Sequence, residues 1–187
     1  AKDFGLDINK SAKEQIEQML NSNSPVYNEV SMICSKSLLE SMGILGKKEY
    51  NEDDILGDLK TSKVQILKDI NESLKLKITI GGIEKYFQFD TGASHLIIDG
   101  KMERDLLARN IIRESDYLGS SNVTIADNTV VKCKVVNLSQ IKIGDYFVNN
   151  VETLIIEEGA LLCGLSLLEK FRTYNFNSSN NILTIER

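Results

Sequence analysis

The sequence lacks several residue types that mark particular classes of protein. It has no Trp, one Pro and one His among 187 residues. The scarcity of Pro argues against a Pro-rich linker, and the lack of Trp argues against a binder built on aromatic platforms. The formal net charge is −5, with no basic stripe that would hold a phosphate backbone. Nucleic-acid binding is therefore not expected.

Long apolar runs and metal-ligand spacings are also missing. No run approaches the roughly 20 residues that a membrane-spanning helix needs, so no span is predicted in this chain. The three cysteines, Cys34, Cys133 and Cys163, are far apart, and His95 is near none of them. This spacing predicts no metal site. Buried free thiols are expected, with one disulfide plus one free thiol as the alternative.

The start of the sequence leaves the compartment open. The first residue is Ala1 rather than Met, which fits either a removed leader or a chain cut from a longer one. No charged start followed by an apolar core is in view, so no signal peptide is expected within these residues. An Asn-rich, Pro-poor, mildly acidic chain is compatible with an exported bacterial protein, periplasmic or extracellular.

Apolar residues repeat with a helical period over residues 1–73. Three helices are predicted, over Ala12–Leu20, Val26–Leu45 and Asp53–Leu74. Gly57 and the Thr61-Ser62 pair are possible break points in the third. The simplest interpretation is a small helical module packed on the rest. A pro-segment over a cleft, or an element for dimerisation or substrate docking, are the alternatives.

From Leu74 the period changes to two, which indicates β-strands. Predicted strands are Leu74–Ile80, Ile83–Phe89, Val123–Ile125, Val130–Val131, Ile141–Ile143, Tyr146–Val148, Val151–Ile156, Arg172–Phe176 and Ile182–Ile185. Two short helices are expected, over Lys101–Ile112 and Leu165–Phe171. The predicted fold class is therefore α+β, with a helical segment (1–73) followed by a mostly antiparallel β domain (74–187).

The segment Phe87–Ser94 combines residues suited to chemistry. An apolar strand runs into Asp90-Thr91-Gly92-Ala93-Ser94. Asp90 leaves the strand into a tight loop whose backbone donors can hold a carboxylate. Gly92 has no Cβ, so the chain can bend and a substrate backbone can approach. The Thr91 hydroxyl can brace a neighbouring loop, and the small residues Ala93 and Ser94 keep the approach open.

This segment resembles the active-site loop of aspartic proteases, and residues 74–187 are similar to the retropepsin-like, single-lobe branch. The resemblance implies a single-lobe acid-protease barrel with Asp90 as its catalytic carboxylate. Further matching segments are a flap-like, substrate-binding hairpin (Ile125, Ala126, Asp127, Asn128) and an apolar-apolar-Gly segment behind the loop (Leu162, Cys163, Gly164).

Some residues depart from the family's pattern. Asn128 stands where flaps often carry Gly, although Asn tolerates the left-handed conformation. No flap Trp is present, and Tyr117 lies upstream of the hairpin. These residues therefore do not predict whether the flap closes over a substrate. Cys163 replaces an aliphatic residue, a mild change because Cys packs as a small hydrophobe.

The resemblance implies peptide hydrolysis by two carboxylates that share one proton, without metal or cofactor. The ionised Asp takes a proton from water while the protonated Asp polarises the scissile carbonyl. The chain contains one Asp-Thr-Gly, so the second Asp must come from another lobe. A homodimer supplies it across a two-fold axis, with Thr91 bracing between subunits. A missing upstream lobe is the other route.

Other functions are weighed against this one. A catalytic His95 or a nucleophilic Ser94 is not expected, because the only His directly follows that Ser in sequence and points the wrong way for a triad. A module that binds peptides but has lost activity, or an inactive partner of another catalytic lobe, are the competing classes. The intact Asp90 loop counts against a pure binder. A peptide or protein substrate is expected, of unassigned specificity.

Overall fold

A computed structural model of the protein describes residues 50–124 and 128–187. The first two predicted helices lie outside these residues, and a helical module over residues 1–49 stays a prediction. The described residues are mostly β, with few helices, as the sequence predicts. No helix within these two ranges is long and apolar enough to cross a bilayer.

The described chain contains fourteen strands, two helices and two 3-10 turns. The strands are β1 (Ile55–Leu56), β2 (Thr61–Gln65), β3 (Leu67–Lys68), β4 (Leu74–Ile80), β5 (Ile83–Phe89), β6 (Leu96–Asp99), β7 (Tyr117–Thr124), β8 (Val130–Leu138), β9 (Ile141–Ile143), β10 (Tyr146–Val148), β11 (Val151–Ile156), β12 (Leu162–Cys163), β13 (Thr173–Asn177) and β14 (Ile182–Glu186). The helices are α1 (Gly100–Ala108) and α2 (Leu165–Leu168), and the 3-10 turns are Glu52–Asp54 and Glu114–Asp116.

Two sheets organise these strands. In the larger, hydrogen-bonded neighbours follow the order β1-β10-β9-β4-β5-β12-β6-β11-β8-β7, with β3 added on β4. The smaller has the order β13-β14-β2. Most pairs are antiparallel, but β12 lies parallel to β5 and antiparallel to β6. The short strand β12 is thereby inserted between the two strands that flank Asp90.

The predicted hairpin of β4 and β5 is confirmed. In β4, Leu76, Ile78 and Ile80 are fully buried, while Lys77 between them is exposed. This alternation follows from the period of two in a strand. Gly81 and Gly82 both have positive φ, 56° and 76°, which is the conformation that a two-residue hairpin turn of type I′ requires.

The predicted helix over Asp53–Leu74 is wrong. The described chain forms a 3-10 turn and the strands β1, β2 and β3 there. In β2, Ser62 and Val64 are buried and their neighbours are exposed, and the strand pairs with β14. The apolar residues that suggest a helical stripe therefore lie in separate short strands, such as Ile55 and Val64, or in the segments between them. Tyr50–Arg187 forms one compact unit.

Both predicted short helices exist but end early. Asp99 begins α1 by accepting a hydrogen bond from the Met102 amide at 2.6 Å. The helix ends at Ala108, and Asn110 has a left-handed φ of 54°, which stops the predicted continuation to Ile112. After α2 the bonds tighten to the three-residue spacing of a 3-10 turn up to Phe171. The later predicted hairpins, Ile141–Val148 and Arg172–Ile185, are confirmed with small shifts at their ends.

The core lies between the strands and α1. Its largest fully buried side chains include Tyr146, Phe87, Leu76, Ile78, Leu96, Ile98 and Leu106. Phe87 and Leu96 stand on the two strands that flank the Asp90 loop, so burial of these side chains fixes both ends of that loop.

Candidate active site

The Asp90 loop connects β5 to β6. Asp90 follows the last residue of β5, and its side chain turns back on its own loop. The Gly92 amide donates a hydrogen bond to Asp90 Oδ1 at 2.9 Å, and the Ala93 amide donates to the Asp90 carbonyl oxygen at 3.2 Å. A carboxylate that accepts a backbone N–H is held in one orientation. One backbone amide therefore orients this carboxylate.

The loop is braced from behind by the segment predicted for that role. The Asp90 amide donates to the Cys163 carbonyl oxygen at 3.1 Å, and the Leu165 amide donates to the Ala93 carbonyl oxygen at 2.9 Å. The Ser166 amide donates to the Ser94 carbonyl oxygen at 3.0 Å. These bonds tie both sides of the loop to the start of α2.

Gly164 is required where the two segments meet. A Cβ built on it would lie 2.5 Å from the Ala93 carbonyl oxygen and closer still to that of His95. No side chain fits at such a distance. The neighbouring Cys163 is fully buried, and burial raises the pKa of its thiol to about 12. This thiol is a packing group, as the sequence predicts for a buried free cysteine, and Cys133 is also a buried free thiol.

A cleft of about 770 Å³ opens over the Asp90 loop. Asp90, Gly92, Ala93 and Ser94 line one side of the cleft. Most of the other lining residues are apolar side chains from four strands: Ile97, Val123, Leu154, Ile156 and Leu162. A long, mostly apolar cleft with a few polar groups at one place is the usual form of a ligand site. Thr91 is exposed and is not among the lining residues.

The flap-like hairpin is described only in part. Strands β7 and β8 pair in an antiparallel manner up to Thr124 and Val130, and Val123 and Thr124 face the cleft. Asn128 has a left-handed φ of 66°, as expected for an Asn at a turn. Ile125, Ala126 and Asp127, predicted to contact substrate, lie outside the described residues.

A polar cluster around the buried Glu103 anchors the base of β7. Glu103 on α1 is 3% exposed and accepts hydrogen bonds from the Tyr117 hydroxyl at 2.6 Å and from Lys134 Nζ at 2.8 Å. Burial first, and then the bond to Glu103, raise the pKa of Tyr117 above its usual value of 10.0. The sequence noted Tyr117 only as lying upstream of the flap, and its partner on α1 was missed.

A second polar chain starts at the cleft. Ser94 Oγ lies 2.8 Å from His95 Nδ1, and His95 Nε2 lies 3.0 Å from Glu152 Oε1 on β11. The sequence argument that adjacent Ser94 and His95 point the wrong way is thus wrong in geometry, because their side chains do meet. Glu152 was missed entirely, since no local pattern links it to residues 57 positions away.

The chemistry of a nucleophilic serine is nevertheless poorly supported here. Such a serine needs free backbone donors to stabilise an oxyanion. The amides of Gly92, Ala93 and Leu96 around it already donate to Asp90 Oδ1, the Asp90 carbonyl oxygen and Ser166 Oγ. Among residues 50–124 and 128–187, no cluster of three or more His, Cys, Asp or Glu side chains is arranged to hold a metal ion.

Comparison with known proteins finds a family similar to part of the chain. Residues 76–167 match the family model described as aspartyl protease. This range begins in β4 and ends in α2, and it includes the Asp90 loop, β7, β8 and the bracing segment.

Over these residues the chain is similar to the aspartyl proteases.

A solved structure is also similar to the protein. It is a retropepsin-like aspartic protease from Rickettsia conorii, 18% identical, and the match covers 70% of this chain and 94% of that one with a TM-score of 0.47. A search of curated proteins found no match. The residues that match the aspartyl protease family include the Asp90 loop, and the cleft above this loop is the candidate active site.

Proposed function

We propose that the protein is an aspartic endopeptidase, in which Asp90 and a second Asp90 from another copy of the chain activate a water molecule. The observation that carries this proposal is the Asp90 carboxylate at the cleft, held by the Gly92 amide at 2.9 Å and by a loop braced from behind. No other Asp-Thr-Gly occurs in the sequence.

The proposed reaction uses the two carboxylates in different protonation states. Two carboxyl groups brought close together share one proton, because like charges cannot both form cheaply. The ionised group takes a proton from the attacking water. The protonated group donates a hydrogen bond to the scissile carbonyl oxygen, and the leaving amine receives a proton as the C–N bond breaks. No step calls for a metal ion or an organic cofactor.

The smaller sheet supports the proposal of a dimer. Phe176 on β13 packs against Phe89, the residue before Asp90, with ring centroids 5.4 Å apart. β13 is an edge strand of its sheet, and four of its five residues are exposed. An exposed strand edge can pair with the same edge of a second copy. Such pairing would bring two Asp90 loops toward each other, with the exposed Thr91 beside its counterpart.

The shape of the cleft supports a peptide as the substrate. A peptide in an extended conformation can lie in a cleft as an added strand, and its side chains alternate between the two walls. The apolar walls favour apolar side chains on either side of the cut bond. A peptide-binding module without activity is the alternative function, and it would use the same cleft without any need for Asp90.

The test is cleavage of a diverse peptide mixture between about pH 3 and 7, where a shared proton is held. The native protein is compared with Asp90→Asn and with Asp105→Asn, a matched change on the exposed surface of α1. We expect Asp90→Asn to lower the rate by more than about 100-fold and Asp105→Asn to leave it unchanged. Equal cleavage by all three would refute the proposed role of Asp90, and binding without cleavage would favour the peptide-binding module.

A further inference from the structure

The flap-like hairpin leaves the larger sheet at a definite point. β8 pairs with β11 only from Lys134 onward, whereas residues 130–133 pair with β7 alone among the described strands. On β7 the register shifts between Tyr117 and Gly119, and Gly119 has a φ of 127°, a conformation that favours glycine. Residues 121–124 and 130–133 together form what we call the outer hairpin. Its position over the cleft therefore depends on how its base is held.

One buried carboxylate holds both strands at that base. Glu103 on α1 accepts hydrogen bonds from the Tyr117 hydroxyl at 2.6 Å and from Lys134 Nζ at 2.8 and 3.0 Å. The Glu103 side chain is 4% exposed, and a buried charge is costly unless it is paired. Glu103 therefore keeps both partners close to α1. Since these partners lie on different strands, the carboxylate fixes the hairpin at two points.

The helix that carries Glu103 is itself tied to the Asp90 loop. Strand β6 begins after this loop and leads directly into α1, whose first turn is capped by Asp99. Met102 and Leu106 of α1 are buried in the core. The position of Glu103 is therefore fixed relative to the strand that leaves the Asp90 loop, and the outer hairpin is held relative to the same strand.

We propose that Glu103 is a positioning residue that holds the outer hairpin over the cleft and thereby sets how tightly the cleft binds a peptide. Val123 and Thr124 of the outer hairpin line the cleft together with Asp90. A hairpin that is loose at its base is in the binding position for only part of the time, and the affinity falls by that fraction. This inference rests on the proposed function in taking an extended peptide as the ligand.

The kinetic test separates positioning from a loss of folded protein. The substrate is oxidised insulin B chain, and cleavage is measured over a range of its concentrations. We expect Tyr117→Phe and Lys134→Met each to raise KM by about 3- to 10-fold, as for one lost hydrogen bond, and Glu103→Leu to raise it at least as much. In each variant kcat should stay near the native value. A fall in kcat with an unchanged KM is the result of partial unfolding, and it would overturn the inference.

Two further variants are matched to these changes. Glu103→Gln keeps the length of the side chain and an oxygen that can accept from the Tyr117 hydroxyl, so its KM should lie closer to the native value than that of Glu103→Leu. Lys85→Met removes the same charge as Lys134→Met, but from an exposed position of β5, and should leave KM unchanged. Equal increases in KM for the two lysine variants would overturn the inference, because the effect would then be one of net charge.

Hydrogen exchange tests the same contact without any cleavage. The Asp90→Asn protein is compared with Asp90→Asn/Glu103→Leu by mass spectrometry, under conditions in which both are folded. We expect faster exchange in residues 117–124 and 130–134 of the double variant, and unchanged exchange in β4 and β5. Equal acceleration in all four strands, or none in the outer hairpin, would overturn the inference.

The outcomes separate this inference from the proposed function. Cleavage by the native protein, with exchange in the outer hairpin unaffected by Glu103→Leu, would overturn the inference and leave the protease standing. Faster exchange confined to the hairpin and weaker binding of the insulin chain in the double variant, with no cleavage by the native protein, would leave the inference standing and overturn the protease. Absence of any peptide binding to the Asp90→Asn protein would contradict both.

Discussion

The backbone amide of Asp90 donates a hydrogen bond to the carbonyl oxygen of Cys163 at 3.1 Å. This bond joins the loop after β5 to β12, which lies between the two strands that flank the loop. The position of the carboxylate therefore depends on a segment far away in sequence. The residue after Cys163 has no side chain, because a Cβ on it would lie 2.5 Å or less from two carbonyl oxygens of the loop.

Replacing Gly164 with Ala should displace the Asp90 loop. The new Cβ would lie 2.5 Å from the Ala93 oxygen, and backbone atoms cannot yield as a flexible side chain can. We expect a loss of about 1–3 kcal/mol in the free energy of unfolding, as for other overpacked sites, together with a large loss of cleavage. Denaturant unfolding and a peptide-cleavage assay measure the two effects.

Gly82→Ala is the control for that change. Gly82 has a positive φ of 76°, but its Cβ would meet only the tip of Arg109 at 3.9 Å. It should cost about 1 kcal/mol through backbone strain alone and leave cleavage intact. A Gly164→Ala protein with native activity would show that the bracing segment does not position Asp90.

Removing the Tyr117 hydroxyl should weaken the base of β7. Tyr117→Phe leaves the buried Glu103 with Lys134 as its remaining described partner. Loss of one hydrogen bond to a charged group should cost about 1.5–3 kcal/mol near pH 8. Denaturant unfolding of the native and variant proteins measures this difference, and Tyr174→Phe on β13 is a matched surface control.

The same pair of proteins should differ in its response to alkali. The pKa of Tyr117 is raised in the folded protein, so the folded state keeps a proton that the unfolded state loses. This contribution to stability is complete below about pH 10 and is lost as the pH rises toward the raised pKa. The native protein should therefore lose more stability above pH 10 than Tyr117→Phe does, and equal losses would contradict the buried position of the phenol.

A buried ion pair should hold the start of the described chain. Lys170 Nζ lies 2.6 Å from Asp54 Oδ2, each side chain is 9% exposed, and Asn150 Nδ2 also donates to Asp54 at 2.7 Å. Lys170→Met removes the buried cation that lies 2.6 Å from Asp54, and breaking a buried ion pair in this way should cost about 3–5 kcal/mol. The double variant Asp54→Asn/Lys170→Met should recover part of this loss. Lys85→Met, at an exposed position of β5, is the comparison, and an equal small cost in both variants would show that the pair contributes little.

The sequence predicts the parts of the fold that depend on local pattern. The alternation in β4, the Gly81-Gly82 turn and the loop after β5 are each encoded within a few residues, and the structure confirms them. The prediction of a helix over Asp53–Leu74 is wrong because the same apolar residues are also compatible with short, separate strands. The pairing of β1 with β10 and of β2 with β14 favours the strands over the helix. Tertiary context overrides local periodicity there.

The candidate site is predicted only where its residues are neighbours in sequence. Asp90 to Ser94, and the segment around Gly164, carry their own signals. Glu152 and Glu103 carry none, because each is an ordinary acidic residue on a strand or helix until the fold brings it to His95 or Tyr117. Contacts between distant side chains have no period, so they appear only with the topology.

The central claim is that catalysis requires Asp90 from two copies of the chain. The direct measurement is the peptide-cleavage rate of the native protein mixed with a ninefold excess of Asp90→Asn, after time for subunits to exchange. If each active unit needs two native copies, most native chains pair with the variant and the rate per native chain falls about tenfold. The same excess of Asp105→Asn, which keeps Asp90, should raise the total rate. A rate per native chain that is unaffected by the Asp90→Asn protein, and independent of protein concentration, would contradict the claim.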